Sequence, residues 1–348
     1  RTTRDMAAAG EEVPLSLGAS APARNFGEMS TLGWELSIGY NKRLNKDWSI
    51  NFQGSLSDQT TKITKHANKE VSIKEGGNIG VNYEGKIMGE IWGYETDRLF
   101  QESDFDGNNG EGNPIWYYGS NTPNQDALNT ANSFHYGPGD VKYKDLNGDG
   151  KVDYGQGTNL DHGDMKVIGN TIPRYIFGLR AGFTWKDIDF SAFFQGVGKR
   201  DYWGTGPLVI PCFTKNEAVY QNQVTNYWTP DNPDAFYPTP RDAGANNHNG
   251  NWQPQTRYLL NMAYMRFKNL TIGYTLPKQW TQKVSLTSAR IFVSGENLFT
   301  LDNLDVTIDP EIQQNSSATT DARSFGRTYP YFRTFSVGAV SYTHLRAH

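Results

Sequence analysis

Apolar and polar residues alternate along much of this chain with a period of two, the pattern of strands that bury or grease one side only. Over residues 32–40, Leu32, Trp34, Leu36, Ile38 and Tyr40 share one face, and Gly33, Glu35, Ser37 and Gly39 the other. A short polar run, 41–47, separates these from Trp48, Ile50, Phe52 and Leu56, which alternate with Ser49, Asn51, Gln53 and Ser55. The pattern predicts two long antiparallel strands joined by a tight connection. A second pair spans 174–198. Tyr175, Phe177, Leu179, Ala181, Phe183 and Trp185 lie on one face, Lys186-Asp187 turns the chain, and Ile188, Phe190, Ala192 and Phe194 continue it. Further strands are expected at 263–276, 286–299 and 331–340.

Strand length separates two all-β architectures. Strands of a soluble sandwich average about five or six residues, whereas a tilted strand crossing a bilayer needs about ten. Here the strands are long, one face is apolar with aromatics near its ends (Tyr40, Trp48, Tyr175, Trp185), and the other is small and polar. Connections are short near 41–47 and 186–187 and long over 57–78, 100–172, 199–260 and 300–328. The expected fold is therefore all-β, an antiparallel transmembrane β-barrel with short periplasmic turns and long extracellular loops.

Composition agrees. The chain has 348 residues, 36% hydrophobic and 13% aromatic, with a mean hydropathy of −0.66. No apolar run of about 18 residues exists, which excludes a spanning helix but not a barrel. A net charge of −4 speaks against a nucleic-acid binder. The single cysteine, Cys212, cannot form an internal disulfide. The start, Arg1-Thr2-Thr3-Arg4, has no apolar secretion segment, and the chain is read as a fragment.

The sharpest local motif is Asp145-Leu146-Asn147-Gly148-Asp149-Gly150-Lys151-Val152-Asp153. Oxygen side chains at positions one, three and five, glycine at six and a backbone carbonyl at seven match an EF-hand-type calcium loop. Gln156 stands at position twelve, where a bidentate acid is usual, so the closing carboxylate would come from Asp161 or Asp164. The plainer alternative is a polar Gly-Asp turn with no metal. With one loop and no flanking helices, the cation would be a structural staple. No phosphate loop, zinc-protease helix or nucleophile elbow is present, and no acidic pair is singled out as a catalytic dyad. The chain is not expected to be an enzyme.

The long loops carry Trp116, Tyr117, Trp203, Trp228 and Trp252. Such residues stack on sugars or dock partners, or pack the loops onto themselves, the commoner fate of any one of them.

Several segments in order resemble the SusC/RagA family of TonB-dependent outer-membrane transporters over nearly the whole chain. They are residues 19–40 through Gly33-Trp34-Glu35-Leu36, and 91–101, where Arg98 stands at a position commonly glycine. Gly139-Asp140-Val141-Lys142-Tyr143 follows, leading to the Asp-rich loop and Val167-Ile168-Gly169-Asn170. Next come Gln195-Gly196-Val197-Gly198, Trp228-Thr229-Pro230-Asp231-Asn232-Pro233, residues 266–274, Ser294-Gly295-Glu296-Asn297-Leu298-Phe299 and Asp309-Pro310-Glu311. Each is weak alone; their ordered succession is specific.

The resemblance implies a 22-stranded plugged barrel in a Gram-negative outer membrane, of which residues 1–340 form the C-terminal part. It implies a SusD-like surface lipoprotein as lid, import of glycan or peptide fragments, and drive from TonB through an N-terminal region absent here. It also implies Ca²⁺ on Asp145, Asn147, Asp149, Lys151 (backbone), Asp153 and Asp164. Residues 341–348 break the alternation and resemble translated vector sequence, so they are read as a non-native tail. The rival class is a secreted calcium-binding β adhesin or glycan-binding module, which would have short strands and need no detergent.

Overall fold

A computed structural model of the chain describes residues 1–8, 24–110, 114–129, 134–213, 219–241, 250–311, 325–326 and 328–343. In chain order the strands begin with β1 (Thr2–Ala8), β2 (Arg24–Arg43) and β3 (Trp48–Lys65). Six short ones follow: β4 (Glu90–Tyr94), β5 (Thr96–Leu99), β6 (Phe105–Asn108), β7 (Trp116–Tyr118), β8 (Val141–Tyr143) and β9 (Met165–Asn170). Then come β10 (Arg174–Trp185), β11 (Ile188–Lys199), β12 (Asp201–Tyr202), β13 (Leu260–Asn261), β14 (Tyr264–Thr275), β15 (Ser288–Asp302) and β16 (Thr334–Tyr342).

Eight of these form one antiparallel sheet in the order β1-β2-β3-β10-β11-β14-β15-β16. Its register lines apolar side chains into rows that run from strand to strand. One row is Tyr40, Phe52, Ala181, Ala192, Leu270, Gly295 and Phe335; another is Trp48, Trp185, Ile188, Tyr274, Ile291 and Ala339. Between them runs a polar row on the opposite face: Asn51, Gly182, Ser191, Thr271, Ser294 and Ser336. Because side chains alternate faces along a strand, one surface of the wall is apolar and the other is mostly polar, with Phe193 and Phe292 packed against Arg180 and Arg290 on it.

The apolar surface is exposed. Leu36, Ile38, Ile272, Tyr274, Ile291 and Val293 are each between 40 and 55% exposed. A continuous open apolar sheet of this extent has no place in water, and lipid is the solvent that would cover it. The strands are long enough, at 20 residues in β2, 18 in β3 and 12 in each of β10, β11 and β14. No helix among the described residues is long and apolar enough to cross a membrane.

Beyond the slips at the β1–β2 edge and at Glu28–Met29, the phase is interrupted inside the wall at β14. Both neighbours of β14 slip register at Lys268, between Phe267 and Asn269. This bulge lets Met265 and Phe267 share the apolar face with Leu270, Ile272 and Tyr274 despite the change from odd to even numbers. Phe267 then stacks on Phe194 at 4.4 Å.

At one end of the wall the turns are short. Asn45 Oδ1 accepts the amides of Asp47 and Trp48, both at 2.9 Å. Lys186, at φ +52°, takes the left-handed turn between β10 and β11. The β14–β15 connection is longer and carries a helical turn at Lys278–Thr281.

The long connections leave from the other end, and their described residues are not structureless. They fold over one another into a layer of two-stranded ribbons, β4 with β9, β5 with β8, β6 with β7 and β12 with β13. The hydrophobic core of the protein lies here, not in the wall. It includes Tyr94, Tyr143, Ile91, Val141, Met165 and Met262, all at most 1% exposed. A smaller aromatic cluster of Phe100, Phe105, Phe134 and Tyr136 adjoins it. Residues 57–65, expected to open a loop, instead extend β3 above the apolar band. At the other terminus Ser341 and Tyr342 still pair with Ala289 and Ser288, so the strand runs past residue 340. Residues 344–348 lie outside the described part, as do residues 19–23 of the first family segment.

Candidate functional site

The motifs that looked like unrelated signatures along the chain meet in the loop layer. Arg98 reaches the buried carboxylate of Asp104 through Nη1 at 2.6 Å and Nη2 at 2.7 Å, and Lys142 adds a third contact at 3.0 Å. Burial alone would raise the Asp104 pKa. The Arg98 bonds, the Gln101 amide and Lys142 outweigh it and hold the carboxyl at about 2. The arginine that departs from the family pattern thus has a defined electrostatic role.

Asp140 is fully buried and accepts bonds from Arg241 Nε at 2.8 Å, Asn251 Nδ2 at 2.8 Å and the Gly137 amide at 2.8 Å. Its neighbour Gly139, at φ +84°, could not be replaced: a Cβ there would lie 1.9 Å from Thr239 Oγ1 and 2.5 Å from the Trp228 ring. Trp228 in turn donates its indole N–H to Gln101 Oε1 at 3.3 Å. Tyr136 and Tyr143 both donate to the Gly250 carbonyl, at 3.0 and 3.1 Å. Arg266 at the rim of β14 grips Asp309 at 2.5 Å and Glu311 at 2.7 Å, with Lys268 on Glu311 at 2.8 Å. This ties the 303–311 segment down onto the polar side of the wall. Nothing in the sequence pairs the two motifs, since 43 residues separate Arg266 from Asp309.

The five loop aromatics part company. Trp203, Trp228 and Trp252 are 7, 8 and 5% exposed and build the loop core, so in this arrangement they offer no face to a ligand or lid. Trp116 is half-buried, 5.5 Å from Phe105. Tyr117, its neighbour on β7, points the other way and is 53% exposed. Of the five, only Tyr117 presents most of its surface to solvent.

The Asp-rich loop folds as a series of side-chain-to-backbone turns. Asp145 accepts the amides of Gly148 at 2.6 Å and Gly150 at 2.8 Å; Asn147 accepts that of Asp149, and Asp149 that of Lys151, both at 2.9 Å. Gly148 and Gly150 take φ of +76° and +83°, the backbone that glycine adopts without strain. Asp153 bonds the Gly155 amide at 2.8 Å. Of the two candidate closing acids, Asp164 folds onto this loop. Its buried carboxylate accepts the amides of Leu146 at 2.7 Å, Asn147 at 3.3 Å and Asp153 at 2.9 Å. Asp161 is exposed and sits on its own turn, its amide bonded to Thr158 Oγ1. Burial, and the charge of Asp145, push the Asp164 pKa up despite those three amides.

The donor set is all oxygen, as a hard cation requires. As arranged, however, its oxygens are spent on the loop's own amides. Among the described residues no group of three or more acidic, His or Cys side chains converges on a common point.

The geometry defines a class: the wall of an antiparallel transmembrane barrel, apolar outside and polar within, whose strands end beneath a packed layer of loops. The comparisons with known proteins agree and narrow it. The chain is similar to TonB-dependent receptors, and its resemblance to the SusC/RagA transporters holds. One receptor of Formosa agariphila is 25% identical over 346 residues, 94% of this chain and 30% of the relative. Another from the same organism is 24% identical over 86% of the chain. SusC of Bacteroides thetaiotaomicron is 21% identical over 94% of the chain and 28% of its own length. The chain therefore spans between 27 and 30% of the length of these relatives. No protein-family model matches.

The fold is shared with the RagAB peptide transporter, at a TM-score of 0.60 and 19% identity over 98% of this chain and 32% of that one. The same assembly in its open-open state gives 0.61 and 18%.

Proposed function

We propose that this chain forms part of the wall and the external loop layer of a TonB-dependent nutrient importer in a Gram-negative outer membrane. The observation that carries the reading is the open apolar face of the wall, set back to back with a polar face and capped at one end only. A secreted β module would cover that apolar face with a second sheet, and here nothing among the described residues does. In the importer, ligand binds between the loop layer and a SusD-like surface lipoprotein. TonB then draws on a plug supplied by sequence outside this span, and the ligand passes along the mostly polar inner face. Glycan or peptide fragments are the substrate class, with Tyr117 the loop aromatic best exposed for stacking on a ligand or the lid.

The test is electrophoretic. The full-length product should require detergent and migrate faster unboiled than boiled, as closed barrels do. A product that stays soluble without detergent and shows no such shift would overturn the reading.

We further propose that the 145–164 loop takes Ca²⁺ as a structural staple, with Asp145, Asn147, Asp149, Asp153, Asp164 and the Lys151 carbonyl as ligands. Its support is the oxygen-only donor set and a buried carboxylate whose proton affinity is raised, both of which a cation would relieve. Terbium luminescence on the full-length protein should show one saturable site that Ca²⁺ displaces and Asp164→Asn abolishes. Emission unchanged in that variant would sink the assignment.

A further inference from the structure

A cavity of about 450 Å³ lies where the loop layer meets the rim of the wall. It is bounded by Ile79 and Glu90, by the Thr171–Pro173 run entering β10, by Arg200 and Tyr202 leaving β11, and by Glu311. Arg200 is the unusual member. Its Nε donates to the Thr171 carbonyl at 3.1 Å, and Nη1 reaches the Pro310 carbonyl only at 3.4 Å. Nη2 makes no hydrogen bond among the described residues.

No carboxylate of the described residues pairs with it. The acids nearby are already committed. Glu311 is held by Arg266 and Lys268, and Glu90 by the Tyr83 hydroxyl, the Trp92 indole and the Ile87 amide. Asp201 is turned onto the Asn170 amide at 3.1 Å.

The contrast with other arginines is clear. Arg98, Arg174, Arg241 and Arg266 each carry an acid. Arg257 lacks one but clamps two loop carbonyls at 2.9 and 2.7 Å. Burial lowers the proton affinity of Arg200, yet a guanidinium stays charged in proteins. A desolvated cation with unspent N–H groups is costly until an anion meets it.

We propose that this cavity is a subsite for the carboxylate of an imported ligand, with Arg200 as its anchoring cation. The assignment rests on the importer reading above and gives its substrate a chemical class. A guanidinium matches a carboxylate with two parallel N–H bonds, and Ile79, Ile172, Pro173 and Tyr202 supply the apolar wall against which the rest of a sugar ring or amino-acid residue packs. The carboxylate belongs either to a peptide C-terminus or to a uronic acid of a glycan.

The experiment is calorimetric titration of the detergent-purified full-length protein with four probes: trialanine, trialanine amide, digalacturonate and neutral digalactose. At least one acid should bind, its neutral counterpart should bind about tenfold or more weakly, and the acid that binds identifies the source. Arg200→Gln should bring the acid down to the neutral level, and Arg200→Lys should keep part of the difference. Equal binding of acid and neutral forms, no binding of either acid, or undiminished binding by a heat-modifiable Arg200→Gln protein would each overturn the subsite. Should Arg200→Gln fail to fold, the acid-against-neutral contrast on the unaltered protein still decides. A protein that passes the electrophoretic test but fails these titrations keeps the importer reading and loses the subsite alone.

Discussion

The wall and the loop layer solve the same problem, where to put apolar side chains, in opposite ways. The wall turns Leu36, Ile272 and Val293 outward and keeps Ser191, Thr271 and Ser294 within. The loop layer buries Tyr94, Phe100 and Tyr143 and meets water with Asn, Asp and Gly, as any soluble domain does. The difference teaches that two solvents act on one chain. Where lipid surrounds it, inside and outside are exchanged and backbone pairing from strand to strand carries the structure. Where water surrounds it, an ordinary core does.

That comparison can be broken most forcefully from the loop side. Phe100 is fully buried among Phe105, Tyr118 and Tyr136. Phe100→Ala should cost about 3–5 kcal/mol, read as rapid protease cleavage within 100–172 while the barrel stays heat-modifiable. Loss of the barrel itself would mean the two regions are not independent.

On the wall, Ile272→Arg should cost about 2–4 kcal/mol in a bilayer. Unfolding titrations in lipid would show it, and the loop layer's protease resistance should not change. The same substitution at an exposed site in water would be close to neutral, so a small effect in lipid would place this face in water.

Acid sharpens the picture of the loop layer. Asp104 is held at about 2, below its unfolded value of about 4. Its contribution is therefore complete above pH 4 and is lost as the pH falls through 4 toward 2, about 2 kcal/mol in all. Asp104→Asn should flatten that part of the stability profile. At the bottom of the scale, Tyr117→Ala should change stability by less than about 0.5 kcal/mol and act, if anywhere, on ligand or lid binding.

The wall was legible in the sequence because lipid on one side and polar surface on the other impose a period of two. Legibility failed where that condition lapses. Ser57–Lys65 reads as loop because β3 there has risen above the apolar band and has polar residues on both faces. The bulge at Lys268 shifts the phase within β14. β1, a short strand at the sheet edge, shows no alternation. The loop core was not legible at all, since Tyr94, Tyr143, Trp228 and Trp252 converge from distant positions with no period linking them. Of the five loop aromatics, sequence could not tell buried Trp228 from exposed Tyr117. Arg200 carried no signal either, because what sets it apart is the absence, among the described residues, of an acid beside it in space.

The barrel wall requires that its apolar face meet lipid. Spin labels placed singly at residues 291–294 of β15, in the full-length protein reconstituted in lipid with Cys212 replaced by Ser, test it directly. Labels at 291 and 293 should be accessible to oxygen from the bilayer and shielded from a water-soluble nickel chelate. Labels at 292 and 294 should lack that lipid signature. Four positions equally accessible to the chelate would contradict it.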